Sequence, residues 1–162
     1  MSVQVTEQLK SLVGTEFYRI EGVPVERGKI REFAMAIQED NPIFYEEQAA
    51  HEAGLPSVPA PLTFSQTINF WNTHGSPVLN FGLDLRYVLH GGQEYEYYKP
   101  IFAGDTLNVA CRLADVYEKA GSRGGKMLFV VLETEFSNQQ GEKVLSSKQI
   151  LIQTGGVVKR EE

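Results

Sequence analysis

The sequence predicts an α+β fold in which a long antiparallel sheet wraps around one buried helix. Three observations support this class. Apolar residues recur with helical spacing in the first half of the chain, and from Leu83 onward they recur at every second position. Turn-forming residues separate the later segments into strands. Helices followed by consecutive strands are typical of α+β proteins.

The first predicted elements are a strand over about residues 16–23 and a helix over 26–38. The apolar stripe of this helix follows the spacing i, i+3, i+4 and i+7 and consists of Ile30, Phe33, Ala34 and Ile37. Asn41-Pro42 ends the segment, because proline disfavours helical conformation in the residue before it. A second helix is predicted over 46–53, with Gly54 as its stop.

The buried helix is predicted over residues 63–72, after an extended proline-rich loop over 55–62. Its Phe64, Ile68 and Trp71 share one helical face, and most of the other positions are apolar or small. This composition predicts deep burial of the whole helix, which ends at the turn 75–77.

A four-strand meander is predicted after residue 83. Strands at 107–113 and 128–136 show apolar residues at alternate positions, and a last strand covers 144–153. Turns are predicted at 103–105, 121–125 and 138–141, and the tail 157–162 is expected to fray.

Composition limits the class of protein. The 162 residues, 42% hydrophobic and 22% charged, suit a single domain over 1–162. The sequence has one cysteine and three scattered histidines, so we expect no disulfide within the chain, no metal site and no cofactor. A net charge of −6 argues against nucleic acid as a partner. The absence of an apolar segment long enough for export or membrane insertion leads us to expect a cytoplasmic protein.

Three segments resemble a known family: 33–44 (FAMAIQEDNPIF), 60–64 (APLTF) and 89–95 (LHGGQEY), the last followed by PIFAGDT at 100–106. They are similar to the MaoC-like dehydratases. More narrowly, they resemble the FAS1-like dehydratase N-terminal family, which includes non-catalytic subunits of mycobacterial (3R)-hydroxyacyl-ACP dehydratases. The resemblance covers about residues 10–155. It implies a hot-dog fold, dimeric assembly and an acyl thioester ligand carried on coenzyme A or acyl carrier protein.

The chain departs from the active members of this family at their catalytic motif. Those members use Asp-x-Asn-Pro-(Ile/Leu)-His, in which Asp and His move protons on the β-hydroxyacyl substrate. Asn41, Pro42 and Ile43 match the motif, which places Glu39 at the Asp position and Phe44 at the His position. A carboxylate can act as a base, but the phenyl ring of Phe44 cannot transfer a proton.

A second departure lies at the start of the buried helix. In active relatives a His-Gly pair there offers backbone N–H groups to the thioester oxygen. The corresponding turn here reads Ala60-Pro61-Leu62, and proline has no N–H to donate. An intact hydratase site within this chain is therefore not expected.

The resemblance and the local chemistry together nominate two sets of site residues. The candidate catalytic residues are Glu39, Asp40 and His90. The candidate substrate-binding residues are Asn41, Phe44, Tyr45, Leu62, Phe64, Ile68, Trp71, Gly91 and Gly92.

Each of these residues also has a purely structural interpretation. Glu39 and Asp40 can simply end a helix, and Asn41 can cap a turn through its side chain. His90 can be structural, beside glycines that mark a strand bulge or a close backbone approach. Cys111 alternates with apolar strand residues, which favours burial over nucleophilic chemistry.

Three functions are consistent with these observations. In the first, this is a substrate-binding, catalytically degenerate subunit of a (3R)-3-hydroxyacyl thioester dehydratase or enoyl hydratase. It would form a heterodimer with a catalytic MaoC-like chain and build the acyl tunnel from its aromatic and apolar candidates. The second is a homodimeric enzyme with a rearranged site drawn from Glu39, Asp40, Tyr45 and His90. The third is a homodimeric module that binds acyl thioesters without turnover.

Overall fold

A five-stranded antiparallel sheet in the order β1-β3-β4-β5-β2 dominates the computed structural model, which describes residues 3–121 and 125–154. Its strands are β1 (Glu16–Pro24), β2 (Val88–Tyr97), β3 (Thr106–Ala120), β4 (Lys126–Ser137) and β5 (Lys143–Gln153). The α-helices are α1 (Val3–Ser11), α2 (Arg27–Ala36) and α3 (Glu47–Glu52). Short 3-10 segments cover Pro42–Phe44, Phe64–Trp71, Pro77–Asn80 and Leu85–Tyr87. The predicted tail and the tip of the predicted 121–125 turn lie outside the described residues.

The five predicted strands are all present, but the predicted meander is wrong for β2. Strands β3, β4 and β5 pair in sequence, whereas β2 pairs with β5 at the far edge, from Val88 opposite Gln153 to Tyr97 opposite Leu145. A hairpin between β2 and β3 would use about two to five residues. The connection 98–105 is longer and crosses the end of the sheet, where the buried Ile101 anchors it.

The two predicted early helices are confirmed, with small changes at their ends. In α2, Ile30 and Ala34 are fully buried, whereas Ile37 follows the helix and is exposed, contrary to the predicted stripe. Gln38 adopts a left-handed backbone with φ 58°, and the Glu39 N–H donates to the Ala34 carbonyl at 2.9 Å. This closing geometry ends the helix before Asn41-Pro42 is reached. Gly54, with φ 79°, ends α3 as predicted.

The central segment, Phe64–Trp71, is a 3-10 helix rather than the predicted α-helix. Phe64, Ser65 and Ile68 are buried, but Phe70 is 88% exposed, so the predicted deep burial of the whole helix is wrong. β-Branched residues lose side-chain freedom in an α-helix, and short polar side chains compete for its backbone hydrogen bonds, so both weaken the α-helical preference of this segment. The Thr67 hydroxyl, for example, donates to the Phe64 carbonyl at 2.8 Å.

Two apolar clusters make up the core of the described part of the chain. The first joins α2 and the central segment to the Leu107 end of β3 and the Leu145 end of β5. The second joins α1, through Leu9, to the opposite ends of the strands, around Leu113 and Leu128. The zone between the clusters is more polar. Among the described residues, no helix is long and apolar enough to cross a bilayer.

Candidate functional site

A cavity of about 360 Å³ lies between the two core clusters, where the central segment covers the sheet. We call this side of the sheet the covered face. The strands contribute Tyr18, Gln93, Cys111, Leu132, Thr134, Phe136, Ser147 and Gln149 to the cavity lining. The central segment and the turn after it contribute Ser65, Gln66, Asn69, Asn72, Gly75, Ser76 and Pro77.

The floor of the cavity is a row of polar residues that crosses the sheet. Tyr18 on β1 lies opposite Cys111 on β3, Cys111 opposite Thr134 on β4, and Thr134 opposite Ser147 on β5. Cross-strand partners project from the same face of a sheet, so these four side chains form one band. Apolar rows flank the band, with Val109 opposite Phe136 on one side and Leu113 opposite Leu132 on the other.

The roof of the cavity is also polar, because the central segment contributes Ser65, Gln66 and Asn69 to its lining. The side-chain amide of Gln66 donates to the Tyr95 hydroxyl at 3.0 Å, and the side-chain amide of Asn69 donates to Oε1 of Gln66 at 3.3 Å. Ser65 is only 4% exposed, and its hydroxyl has no hydrogen-bond partner in the described part of the chain.

None of the described residues that line the cavity carries a formal charge. Burial raises the pKa of the Tyr18 phenol and also the pKa of the Cys111 thiol. Both groups therefore remain neutral at pH 7. A neutral thiol is a poor nucleophile, which supports the structural interpretation of Cys111. Over residues 3–121 and 125–154, no group of three or more His, Cys, Asp or Glu side chains has a metal-binding arrangement.

His90 lies outside the cavity lining but is connected to it by hydrogen bonds. The β2–β5 register shifts between His90 and Gly92, which marks a bulge at Gly91. Nε2 of His90 lies 3.3 Å from Oε1 of Gln93, and Nε2 of Gln93 donates to the Ser147 hydroxyl at 2.5 Å. The bulge predicted from the glycine pair is confirmed. It brings the His90 side chain to the same side of β2 as Gln93, which lines the cavity.

The segment that carries the motif is held by its own hydrogen bonds. The Asn41 side chain accepts from the Ile43 N–H at 3.2 Å, so its predicted capping role is confirmed. The Glu39 carboxylate accepts from the Asn41 N–H at 3.0 Å, and the Tyr45 hydroxyl donates to the Glu39 carbonyl. Asp40 is exposed. None of these residues lines the 360 Å³ cavity, nor does Phe44, which is half-buried.

The candidate tunnel residues of the central segment lie elsewhere. Phe64 and Ile68 belong to the first core cluster, where the Phe64 ring meets Phe33 edge-on at 5.8 Å between centroids. Together with the partly exposed Trp71 they border a smaller cavity of about 100 Å³. Leu62 is exposed. Their assignment to an acyl tunnel, like the other substrate-binding assignments, stays a prediction.

Sequence reasoning did not nominate the residues of the polar floor and roof. A signal for one of them was present, because Thr134 interrupts an alternation that is otherwise Leu128, Val130, Leu132 and Phe136. A polar residue at a core-facing strand position is informative, since burying it without a partner is costly. The amides of the central segment gave no comparable signal.

Sheet order β1-β3-β4-β5-β2 with a helical segment across one face defines the class of this protein as a hot-dog fold. A solved structure with this fold is the C-terminally truncated HadBC (3R-hydroxyacyl-ACP dehydratase) complex from Mycobacterium tuberculosis. It is 28% identical, with a TM-score of 0.70, over 87% of this chain and 96% of that chain. The ChsH1-ChsH2 complex from the same organism shares the fold. It is 20% identical, with a TM-score of 0.77, over 97% of this chain and 93% of that chain.

The family assignment follows from the sequence. The model of the FAS1-like dehydratase domain region matches residues 11–147, and the chain belongs to this family. Among curated proteins, a UPF0336 protein of Saccharopolyspora erythraea is 34% identical over 148 residues, which cover 90% of this chain and 91% of the relative. A UPF0336 protein of Thermobifida fusca is 32% identical over 148 residues, which cover 90% of this chain and 93% of the relative. The MaoC-like resemblance and the α+β hot-dog prediction are thereby confirmed.

Proposed function

We propose that this chain is a substrate-binding subunit of a (3R)-3-hydroxyacyl thioester dehydratase or enoyl hydratase. In this proposal a separate MaoC-like chain supplies the catalytic Asp and His. The observation that carries it is Phe44, which stands at the motif position where dehydration or hydration needs a proton carrier.

The contacts around the motif support a structural role for this segment. The Glu39 carboxylate is engaged by the Asn41 N–H, and the Tyr45 hydroxyl by the Glu39 carbonyl. His90 belongs to a different hydrogen-bonded group with Gln93. These separate contacts favour the degenerate subunit over a rearranged active site made from the same residues.

The start of the central segment also favours a subunit without an oxyanion site. The Pro61 carbonyl accepts from the Phe64 N–H at 2.8 Å, so Pro61 lies in the first turn of this segment. Its ring nitrogen has no hydrogen to donate to a thioester oxygen. The similar HadBC dehydratase is a complex of two kinds of chain, which supports a partner for this one.

The test is hydration of crotonyl-CoA by the purified chain, by a separate MaoC-like chain that carries the Asp and His of the motif, and by the co-expressed pair. We expect activity only in the pair. Hydration by this chain alone at a rate typical of active family members, abolished by Glu39→Gln, would contradict the proposal. It would favour the homodimeric enzyme instead.

A further inference from the structure

We propose that the 360 Å³ cavity under the central segment binds the tail of the acyl ligand and selects a tail with an uncharged oxygen group, a hydroxyl or a keto group. This inference rests on the proposed function, because that function supplies the acyl thioester. It adds a substrate class, since a plain alkyl tail does not match the lining of the cavity.

The floor of the cavity would be a poor surface for an alkyl chain. Thr134, Ser147 and Gln93 present hydroxyl and amide groups in the centre of the covered face, between the two apolar clusters. The Gln93 amide already donates to the Ser147 hydroxyl, but the floor groups keep further donor and acceptor positions. A methylene chain laid over those positions would remove their water and return no hydrogen bond, which is unfavourable. An oxygen on the tail would replace the lost water contacts.

The roof supplies an independent sign of a ligand. Ser65 is a lining residue of the cavity, and its buried hydroxyl has no hydrogen-bond partner among the described residues. Buried polar atoms in native proteins are nearly always paired. A hydroxyl can both donate and accept, so either a keto or a hydroxyl group on the ligand would satisfy it.

The charge of the lining defines the ligand class further. No described lining residue is ionised at neutral pH, and no Lys or Arg lines the cavity to meet a phosphate or carboxylate. Side-chain amides dominate instead, each with both donor and acceptor atoms. They are Gln66, Asn69, Asn72, Gln93 and Gln149. This set favours a neutral ligand with hydrogen-bonding oxygens over a charged one.

The size and rigidity of the cavity suit the tail of an acyl ligand. Its volume lies at the lower end of the range of about 300–1,000 Å³ typical of small-molecule sites. The floor residues stand on paired strands, so their hydroxyl and amide groups are held in place before a ligand enters.

The test compares the affinities of decanoyl-CoA, 9-hydroxydecanoyl-CoA and free coenzyme A, by calorimetry, for the full chain and for its co-expressed pair. We expect 9-hydroxydecanoyl-CoA to bind about threefold to tenfold more tightly than decanoyl-CoA, as one added hydrogen bond allows. Ser65→Ala and, separately, Thr134→Val should reduce this ratio toward one. Thr67→Ala is the matched control, because this hydroxyl lies on the same segment but outside the cavity lining. It should leave the ratio unchanged.

The outcomes separate this inference from the proposed function. Equal or tighter binding of decanoyl-CoA, or a ratio that neither cavity substitution alters, overturns the selectivity. Free coenzyme A that binds as tightly as the hydroxyacyl thioester, and loses affinity with Ser65→Ala, would instead place the pantetheine arm in the cavity and overturn it too. If the pair hydrates crotonyl-CoA but shows no preference, only this inference fails. If the preference is present and the pair is inactive, only the proposed function fails.

Discussion

Gly91 illustrates how one residue sets the geometry next to the cavity. A Cβ atom at this position would lie 2.5 Å from Cδ1 and 2.6 Å from Cγ1 of Ile152. At Gly92, by contrast, the nearest atom to an added Cβ is Cδ1 of Ile150, at an ordinary 3.6 Å. The bulge that aligns His90 with Gln93 therefore depends on the absence of a side chain at position 91.

We predict that Gly91→Ala lowers the free energy of unfolding by about 1–3 kcal/mol, the usual cost of forcing extra atoms into a packed site. Gly92→Ala, as the matched control, should be neutral or slightly stabilising, because alanine loses less backbone entropy in a strand. Urea denaturation measures both. Equal losses for the two substitutions would contradict the close approach at Gly91.

Residue-level predictions from sequence succeeded where the cause is local. The Asn41 cap depends on a neighbour two positions away, so residue chemistry is sufficient to predict it. The glycine pair at 91–92 indicates the bulge, but the contact that requires Gly91 comes from Ile152 on β5. The cavity residues depend on register between strands far apart in the chain. Thr134 faces Ser147 only because β4 and β5 pair in that register. The register between two distant strands cannot be predicted from the pattern of residues in a single sequence.

At the scale of elements, helix α1 was not predicted, because its burial depends on a distant strand. Leu9 is 2% exposed and packs in the second core cluster, and the Thr6 hydroxyl donates to the Glu118 carboxylate on β3 at 3.1 Å. The helix has few apolar residues to reveal its buried side. The strands, by comparison, were predictable because their alternation continues over many residues.

We predict that Leu9→Ala costs about 2–5 kcal/mol of unfolding free energy, since it leaves a void at a fully packed position. Val13→Ala is the control on the turn after α1. Val13 is 43% exposed, so its truncation should change stability by no more than about 0.5 kcal/mol. Chemical denaturation of both variants is the measurement. A Leu9→Ala loss as small as that of Val13→Ala would show that α1 contributes little to the core.

The central segment shows how local preference and tertiary packing can disagree. An α-helix would place Phe64, Ile68 and Trp71 on one face, as the sequence predicts. The observed 3-10 helix instead aligns residues three positions apart, which places Ser65 beside Ile68. Ser65 and Ile68 are both 4% exposed, whereas Phe70 and Trp71 at the end of the segment are 88% and 49% exposed.

At the scale of the whole molecule, the two edges of the sheet differ in their suitability for pairing with another chain. Strand β1 has two register shifts, and such irregularities discourage edge pairing. Strand β2 pairs regularly with β5 from Gly92 to Tyr97, and no described strand lies on its other side. Leu89 on β2 is 58% exposed. An edge strand without a neighbour on one side, with an exposed apolar side chain near its start, is suited to a protein–protein contact.

We predict that the partner subunit, a second copy or a catalytic chain, pairs along β2. Leu89→Lys should then weaken the complex by roughly tenfold to a hundredfold, the equivalent of losing one buried leucine side chain. Met35→Lys is the matched control, because Met35 is 61% exposed and lies on α2 rather than on an edge strand. Sedimentation velocity across a concentration series measures both dissociation constants. If Met35→Lys weakens assembly as much as Leu89→Lys, or if neither has an effect, the contact lies elsewhere on the molecule. A selective loss with Leu89→Lys would place the contact with the partner subunit at the β2 edge.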